Sequence, residues 1–418
     1  MDAVERTAVV PEILGYDAAR ARVLAAVTPL ASEDVPFEAA RGRALRSALV
    51  ATHDLPPFRN SSMDGIAVRA SDLRQAPVTL RVAGEIPAGR VAERPLGAGE
   101  CMWIWTGAPL PEGADAVVPV EELDAPGDTA ADHVRVASPS RPGRNLRDAG
   151  ADLRTGETAL AAGRELSAHD LGLAAALGAS RLAVGRRPRV AVISTGDELL
   201  SPAEPLRPGA IRDSNRPMLV ALLEESGTEP VPSRHLGDDP DAVAEAIAGA
   251  LDEADVVITI GGVSAGAHDP VKVGITRVGG IALWRVAMKP GRPQAFGAPR
   301  GRLFFGLPGN PASVACVFEA LVRPALRKLQ GFAVIDRPRL RVHTAHAIPS
   351  RAGRTDFVRV TLTVEGGAWR ASEAGPQVSG HLMPQARAHA LLVVPEGVAR
   401  LETGEEADVL LLRWPATS

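Results

Sequence analysis

Residues 255–269 read DVVITIGGVSAGAHD, and the architecture of the middle of the chain can be inferred from them. Its apolar, β-branched run over 256–260 predicts a buried strand that ends abruptly in a turn. The turn contains glycine and serine, at Gly261, Gly262, Ser264 and Gly266. Glycines there let backbone N–H groups approach an anion, and Asp269 offers a carboxylate to a cation that accompanies phosphate. We therefore expect a phosphorylated ligand; a turn with a purely structural role is the alternative.

The sequence around this stretch alternates between predicted strands and helices from 188 to 330. An apolar strand over 190–193 precedes a Ser-Thr-Gly turn at Thr195 and Gly196, and a helix is expected to end near Glu225. Such alternation is typical of a mostly parallel, doubly wound sheet. Ligands of these sheets bind at the carboxyl ends of the strands, where the glycine-rich turn lies.

Residues 303–313, LFFGLPGNPAS, predict another buried strand that ends in a turn containing Pro308 and Gly309. Ser313 is placed to cap the helix that follows this turn. Just before the strand, Lys289 and Arg292 flank a rigid Pro-Gly turn. Cations near a helix N-terminus favour an anion, so a dianion would be well held here. A solvated surface loop is the alternative explanation of the basic turn.

The first part of the chain predicts a different architecture. A helix is expected over 16–27, and short strands separated by Gly and Pro over 77–120 predict a small β domain. Two polar turns belong to this part, one at Asp64-Gly65 and one that begins at Thr106. Alone, the first turn is explained equally well by local structure, and the second is better explained by local structure.

Composition limits the possible functions. A chain of 418 residues is too long for one hydrophobic core and is expected to form roughly three or four domains. The net charge of -4 and the 3% aromatic content argue against nucleic acid or an anionic membrane as partner. Cys101 and Cys316 lack metal-ligand spacing and are expected to be small core residues.

The first residues, MDAVERTAVVPEI, lack the basic and apolar segments of a secretory signal. No apolar run reaches the roughly 20 residues needed to cross a bilayer. A cytoplasmic location is therefore predicted.

Six motifs in this order resemble those of the molybdopterin molybdenumtransferases, which include the bacterial MoeA proteins and the C-terminal domain of gephyrin. They are NSSMDGIAV at 60–68, TGAPLPEGADAVVP at 106–119, STGDEL at 194–199, GGVSAGAHD at 261–269, MKPGRP at 288–293 and GLPGNPAS at 306–313. The resemblance extends from about residue 10 to residue 412. It implies a multidomain α/β plus β protein.

The resemblance implies four domains. They are a discontinuous elongated domain at 1–52 and 140–186, an inserted small β domain at 53–139, a molybdopterin-binding α/β domain at 187–331 and a C-terminal β-barrel-like domain at 332–418.

The implied reaction inserts molybdate into adenylylated molybdopterin, releases AMP and forms molybdenum cofactor in a magnesium-dependent step. The resemblance also implies a homodimer whose site is completed across the subunit interface. A molybdopterin-adenylylating protein and apo-molybdoenzymes are the implied partners. Two alternatives are an adenylyltransferase that activates molybdopterin with ATP and a non-catalytic scaffold.

The resemblance assigns roles to individual residues. The catalytic carboxylates would be Asp64, Glu198, Asp238 and Asp269, of which Glu198 and Asp269 would hold magnesium. The molybdopterin and its phosphate would bind at Thr195, Gly196, Gly261, Gly262, Ser264, Gly266, Pro308 and Gly309. Molybdate would bind at Lys289, Arg292, Ser313, Arg359 and Ser379. These cations and donors suit a dianion, and the soft dithiolene sulfurs of the substrate suit molybdenum.

Some positions depart from the pattern of the family. Arg292 replaces a second lysine, which retains the charge and adds a planar fork. Ile66 stands in place of a tyrosine, and Pro384 and His389 stand where serine and asparagine are expected. The last two departures concern the C-terminal end of the implied site.

Overall fold

A computed structural model describes residues 12–124, 129–263 and 270–415. Its helices are α1 Tyr16–Ala25, α2 Ala168–Ala176, α3 Asn215–Glu225, α4 Pro240–Glu253, α5 Pro270–Val278, α6 Pro311–Val317, α7 Arg323–Gln330 and α8 Met383–Arg387. Short 3-10 helices lie at Phe37–Ala40, Ala70–Leu73, Val120–Glu122 and Pro299–Gly301, and a π-helical turn, Phe318–Val322, joins α6 to α7.

The strands up to the middle of the chain are β1 Glu12–Gly15, β2 Ser32–Pro36, β3 Leu49–Val50, β4 Asn60–Ser61, β5 Gly65–Val68, β6 Val78–Ile86, β7 Glu100–Ile104, β8 Ala116–Pro119, β9 His133–Val136, β10 Leu146–Arg147, β11 Thr158–Leu160 and β12 Arg181–Gly185.

The later strands are β13 Arg189–Thr195, β14 Leu199–Leu200, β15 Ile211–Arg212, β16 Glu229–Pro230, β17 Arg234–Leu236, β18 Val256–Ile260, β19 Ile281–Lys289, β20 Pro293–Gly297, β21 Leu303–Leu307, β22 Arg339–Thr344, β23 Ile348–Pro349, β24 Thr355–Glu365, β25 Ala368–Glu373, β26 Ala390–Val394, β27 Arg400–Leu401 and β28 Glu406–Leu411.

Two compact units make up the described chain. The first contains 12–47, 162–168 and 181–415, and the second contains 48–161 and 169–180. The finer division into four domains, with the bounds given above, stays a prediction.

The predicted strand at 256–260 is the middle of a parallel sheet in the first unit. β18 pairs in parallel with β13 on one side and with β21 on the other. All five of its residues are buried, because helices cover both faces of the sheet. On one face Val256 and Ile258 pack with residues of α3, α6 and α7, and on the other Val257 packs with residues of α4 and α5. This arrangement confirms the doubly wound α/β fold.

An antiparallel hairpin extends the sheet beyond β21. β20 pairs with β21 and with β19, while β1 joins β19 in parallel. The predicted basic turn lies between β19 and β20, where Val286 N–H donates to the carbonyl of Arg292. The turn is therefore carried by a hairpin of the main sheet.

The C-terminal strands of the first unit close into a barrel. The ring runs β24, β25, β22, β28 and β26, and β26 pairs back with β24. Its interior is apolar, with Val360, Leu392 and Val409 fully buried. This closure confirms the C-terminal β-barrel-like fold. The barrel is joined to the main sheet through parallel pairing of β19 with β24, at Met288 and Thr355.

The second unit contains a five-stranded sheet in the order β8, β5, β7, β6 and β9. Its core includes Ile66, Trp103 and Cys101, all buried. Cys316 is likewise a free, buried residue of the first unit. Both cysteines are therefore core residues, as predicted.

Ser313 does not cap the helix after β21, so that prediction was wrong. α6 begins at Pro311 with Asn310 as its N-cap residue, and Ser313 is buried within the helix. Proline is favoured at the first helical position because its missing N–H would be unpaired there anyway. Among the described residues, no helix is long and apolar enough to span a membrane.

Candidate functional site

Three turns meet where β13, β18 and β21 end. Gly261 and Gly262 adopt positive φ angles of 91° and 75°, which glycine adopts without strain. A β-carbon on Gly261 would lie 3.4 Å from Thr195 Oγ1, and one on Gly309 would lie 4.0 Å from the α-carbon of Gly261. Pro308 connects β21 to Gly309. The strand ends thus bring together five of the residues predicted to bind molybdopterin and its phosphate.

The turn after β13 is crowded by its own carboxylate. Gly196 has a φ of 140°, and a β-carbon there would lie 2.6 Å from Glu198 Oε2. Only glycine lets the Glu198 side chain fold back over this turn. The predicted residues Ser264, Gly266 and Asp269 lie outside the described residues.

Asp197 is a site residue that the sequence reasoning missed. Its Oδ1 accepts a hydrogen bond from Asp238 N–H at 3.2 Å, and a β-carbon on Gly237 would lie 2.6 Å from the same oxygen. Asp197 therefore holds the turn that carries Asp238 next to the turn that carries Glu198. Its position between Gly196 and Glu198 in the STGDEL motif was the available signal.

A network of hydrogen bonds from the start of α3 supports these turns. Ser194 Oγ donates to Asp213 Oδ2 at 3.0 Å, and the other carboxylate oxygen of Asp213 accepts from Arg216 N–H at 3.0 Å. Asn215 Nδ2 donates to the carbonyl of Gly309 at 2.7 Å. The start of α3 therefore fixes both the β13 turn and the β21 turn.

A basic cleft of about 550 Å³ lies beside this meeting point. Four of the residues predicted to bind molybdate line it, namely Lys289, Arg292, Ser313 and Ser379. Three further cations, which are not among the predicted molybdate ligands, also line it: Arg285, Arg351 and Arg354. Arg351 and Arg354 come from the chain segment that precedes β24, far from Lys289 in sequence.

In the part of the chain that the structure describes, Arg354 is the only cation of the basic cleft with an ion-pair partner. Arg354 forms a two-point ion pair with Asp356, at 2.7 and 3.1 Å. Within the described residues, no carboxylate lies within 4.0 Å of the cationic nitrogens of Lys289, Arg292 or Arg351. An unpaired cation attracts a dianion strongly, since two unit charges 4 Å apart interact by about 4 kcal/mol near a protein surface.

Gly291 lets the basic turn lie against helix α6. Its φ is 106°, and a β-carbon there would lie 2.4 Å from Val317 Cγ2. The same approach brings Ser313 to the cleft, because its carbonyl oxygen is 3.7 Å from that position. Glycine at this position is thus a steric requirement.

Arg359 differs from the other predicted molybdate ligands because it is only 2% exposed. Burial lowers its pKa. Its guanidinium donates to Gln377 Oε1 and to the carbonyls of Pro376, Val378 and His381. These bonds hold the segment that carries Ser379.

Asn310 connects the basic cleft to the three turns. It follows Gly309 directly and lines the cleft, and its Nδ2 lies 3.1 Å from Ser379 Oγ. The carbonyl of Ser379 accepts from Ala312 N–H at 3.0 Å. A ligand with a phosphate at the turns and a metal-binding end in the cleft would pass this asparagine.

The second unit contains its own carboxylate turn. Asp64 Oδ1 accepts hydrogen bonds from Thr106 Oγ1 at 2.6 Å and from Thr106 N–H at 2.7 Å. These bonds lower the pKa of the exposed Asp64 carboxyl. Gly65 is required next to it because a β-carbon would lie 2.0 Å from the carbonyl oxygen of Val118. The two turns predicted separately therefore form one structure.

Three of the departures from the family pattern have defined surroundings in the structure. Ile66, in place of a tyrosine, is fully buried in the core of the five-stranded sheet. His389 accepts a hydrogen bond at Nδ1 from Leu362 N–H at 3.0 Å, within the barrel. Pro384 packs near Gly375, where a β-carbon would lie 3.2 Å from Pro384 Cγ.

The described carboxylates near the three turns could hold magnesium only together with oxygens of a bound phosphate. Among the described residues, no group of three or more His, Cys, Asp or Glu side chains could hold a metal. Mg²⁺ usually takes one or two carboxylates together with substrate phosphates and waters. Glu198, beside glycine turns that suit phosphate, satisfies that requirement.

Family models match three successive parts of the chain. The MoeA N-terminal region (domain I and II) matches residues 14–178, the probable molybdopterin binding domain matches 191–328, and the MoeA C-terminal region (domain IV) matches 341–412.

Proteins with established names are similar over most of the chain. Molybdopterin molybdenumtransferase 2 of Mycobacterium tuberculosis is 40% identical over 385 residues, which are 90% of this chain and 94% of the relative. The molybdopterin molybdenumtransferase of Nostoc sp. is 36% identical over 92% of this chain and 89% of its own length. That of Haemophilus influenzae is 33% identical over 95% and 98%.

Solved structures agree in fold. The molybdopterin biosynthesis moeA protein of Pyrococcus horikoshii superimposes with a TM-score of 0.82 at 30% identity, covering 96% of this chain and all of that one. A molybdenum cofactor biosynthesis protein of Pyrococcus furiosus shares the fold, with a TM-score of 0.59 at 23% identity over 96% of this chain and all of that one.

Proposed function

Because the chain belongs to the molybdopterin molybdenumtransferase family, we propose that it inserts molybdate into adenylylated molybdopterin and releases AMP, which forms molybdenum cofactor. The observation that carries the proposal is the adjacency of two unlike subsites. Glycine turns suited to phosphate meet at Thr195, Gly261 and Gly309, and a basic cleft begins at Asn310. A substrate with a phosphoanhydride at one end and sulfur ligands near the other requires such a pair.

The basic cleft would hold molybdate by charge and hydrogen bonding. Lys289 and Arg292 supply cations without a competing carboxylate among the described residues, and Ser313 and Ser379 supply hydroxyls. No protein cysteine is needed, because the dithiolene sulfurs of the substrate become the soft ligands of molybdenum. The cleft would therefore orient the oxyanion towards those sulfurs.

The three turns would hold the phosphoanhydride. The backbone N–H group of Gly262 can approach phosphate oxygens because no β-carbon intervenes, whereas the N–H of Gly261 donates to the carbonyl of Leu307 at 3.0 Å and holds the turn against β21. Glu198 and Asp269 would hold magnesium, which when bound neutralises phosphate charge. Asp238, held by Asp197, would orient the attacking water. Water attack breaks the phosphoanhydride bond, and AMP leaves.

Asp64 would act as a further catalytic carboxylate. Its hydrogen bonds from Thr106 stabilise the carboxylate and lower its pKa, which suits a cation ligand. A homodimer that completes the site, delivery by a molybdopterin-adenylylating protein, transfer to apo-molybdoenzymes and a cytoplasmic location belong to the same proposal.

The test mixes purified protein with adenylylated molybdopterin, magnesium and molybdate. It follows AMP release together with reconstitution of an apo-molybdoenzyme. We expect molybdate-dependent cofactor formation that is lost in Asp269→Asn and that needs far more molybdate in Lys289→Gln. Arg300→Gln is the matched control, since Arg300 pairs with Asp252 on a surface away from the cleft lining.

Absence of AMP release from well-folded wild-type protein would overturn the proposal. Consumption of ATP with free molybdopterin would favour adenylyl transfer instead. Binding of the substrate without any turnover would favour a scaffold.

A further inference from the structure

The segment 201–210 forms a closed loop beside the turn that carries Glu198. Its ends are joined by β14 and β15, which pair Leu199 with Ile211 and Leu200 with Arg212. Arg212 also donates to the carbonyls of Pro202 and Glu204, at 3.1 and 3.3 Å. The loop is thus held by its own hydrogen bonds, as compact surface loops are.

Arg207 reaches from this loop to the turn after β13. Its Nη2 donates to the carbonyl of Asp197 at 3.0 Å. Within the described residues, no other Arg or Lys side chain donates to residues 195–198 or 237–239. The guanidinium has five N–H donors, and in the described part of the chain only this one bond uses them.

A phosphate that binds at the turn after β13 needs a cation beside it, because the turn is surrounded by carboxylates. Asp197, Glu198 and Asp238 place three carboxylates here, and they would repel a phosphoanhydride. Glu204 is near enough for Arg207 to contribute to lowering its pKa, but that carboxylate accepts from Ser201 N–H at 2.5 Å. In the described part of the chain, Arg207 therefore retains free donors beside these carboxylates, where its charge can offset their repulsion of a phosphate.

We propose that Arg207 binds the adenylyl phosphate of the substrate and stabilises the AMP that leaves. This inference rests on the proposed function, because it takes the phosphoanhydride to lie at the Thr195–Asp197 turn. Guanidinium groups bind phosphate through paired, charge-assisted hydrogen bonds. The loop 201–210 is then the element that distinguishes adenylylated molybdopterin from molybdopterin without the adenylyl group.

The test measures binding of AMP and of adenosine to the full chain by titration calorimetry. We expect wild-type protein to bind AMP more tightly than adenosine. Arg207→Gln lowers the AMP affinity by about tenfold and leaves adenosine binding unchanged. Arg207→Lys retains part of the preference, since it keeps the charge but loses the fork.

Two controls separate a direct contact from a change in loop structure. Arg212→Gln removes internal bonds of the loop but keeps Arg207, so it retains the AMP preference. Arg300→Gln behaves as wild type. A wild-type protein without AMP preference, or an unchanged AMP affinity in Arg207→Gln, overturns the inference.

The binding assay is independent of turnover. Wild-type protein could prefer AMP over adenosine and yet release no AMP from adenylylated molybdopterin in the presence of molybdate. In that case the proposed function fails, and the AMP titration of Arg207→Gln still tests whether Arg207 binds the phosphate. If turnover occurs, Arg207→Gln raises the KM for adenylylated molybdopterin about tenfold and leaves the KM for molybdate unchanged.

Discussion

Gln377 and Arg359 are joined by three hydrogen bonds. Gln377 Oε1 accepts from the backbone N–H of Arg359 at 3.0 Å and from its Nε at 3.2 Å, while Gln377 Nε2 donates to the carbonyl of Arg359 at 3.1 Å. Arg359 lies on barrel strand β24, and Gln377 lies in the segment that carries Ser379. The barrel thereby fixes one wall of the basic cleft.

We expect Gln377→Leu to lower the free energy of unfolding by about 2 to 3 kcal/mol, because the substitution removes all three bonds to Arg359, including one acceptor of its buried guanidinium. Amides of residues 376–381 should exchange faster with solvent, and the molybdate KM should rise. Hydrogen exchange and steady-state kinetics measure these effects. Gln385→Leu is the matched control, since within the described chain the Gln385 side chain makes no hydrogen bond. Unchanged exchange in Gln377→Leu would contradict this role.

We expect Gly291→Ala to disrupt the basic cleft, although the substitution adds only one methyl group. The new methyl would lie 2.4 Å from Val317 Cγ2, so the turn must move off α6. We expect a loss of about 3 kcal/mol in stability and most of the molybdate-dependent turnover. Gly404→Ala is the control: its φ is 82° with no atom within 4 Å, so it costs only about 1 kcal/mol. If Gly291→Ala and Gly404→Ala lowered the thermal unfolding temperature equally, the steric explanation would be contradicted.

Thr106→Val should raise the pKa of Asp64. The substitution removes the hydroxyl that donates at 2.6 Å, which is the largest cause of the lowered pKa. Since the folded-state pKa lies below the unfolded one, this contribution to stability is present above pH 4 or so and is lost as the pH falls further. Carboxyl NMR titration of Asp64 in both proteins measures the shift. An identical titration would show that the hydroxyl does not contribute.

Asp255 should make stability depend on pH at the start of β18. Burial alone would raise its pKa, but hydrogen bonds from Arg186 and Arg189 and the charge of Arg302 lower it. The stabilisation is fully present above pH 4 or so and decreases as the carboxylate is protonated at lower pH. We expect Asp255→Ala to lower the free energy of unfolding by about 3 kcal/mol at pH 7. Urea unfolding measured at several acidic pH values should show that the stability of the variant depends less on pH than that of the wild type. Asp252→Ala, on the exposed surface, is the control.

The sequence predicted the elements whose cause is local. The apolar run at 256–260 became β18 with the same bounds, because a strand buried on both faces requires a continuous apolar sequence. The glycines of that turn and the cations of the basic turn were likewise visible in the chain. The predicted Ser313 cap was wrong because Pro311, favoured at the first helical position, starts the helix two residues before Ser313.

Other parts of the site depend on contacts between distant segments. Arg351 reaches the basic cleft because the segment that carries it precedes β24, which pairs with β19. Gln377 gains its role only from the position of Arg359, and Arg207 gains its role only from the closure of its loop. No local pattern reports such juxtapositions, so these residues were not predicted.

The pairing of Met288 with Thr355 has a mechanical consequence. Lys289 and Asp356 continue the same ladder, so the main sheet and the barrel share backbone hydrogen bonds at the edge of the basic cleft. A hinge motion that opened the cleft there would have to break these bonds. The cleft is therefore preorganised for an oxyanion, and little reorganisation is required when the dianion arrives. Any movement that accommodates the larger molybdopterin substrate must therefore occur in elements other than β19 and β24.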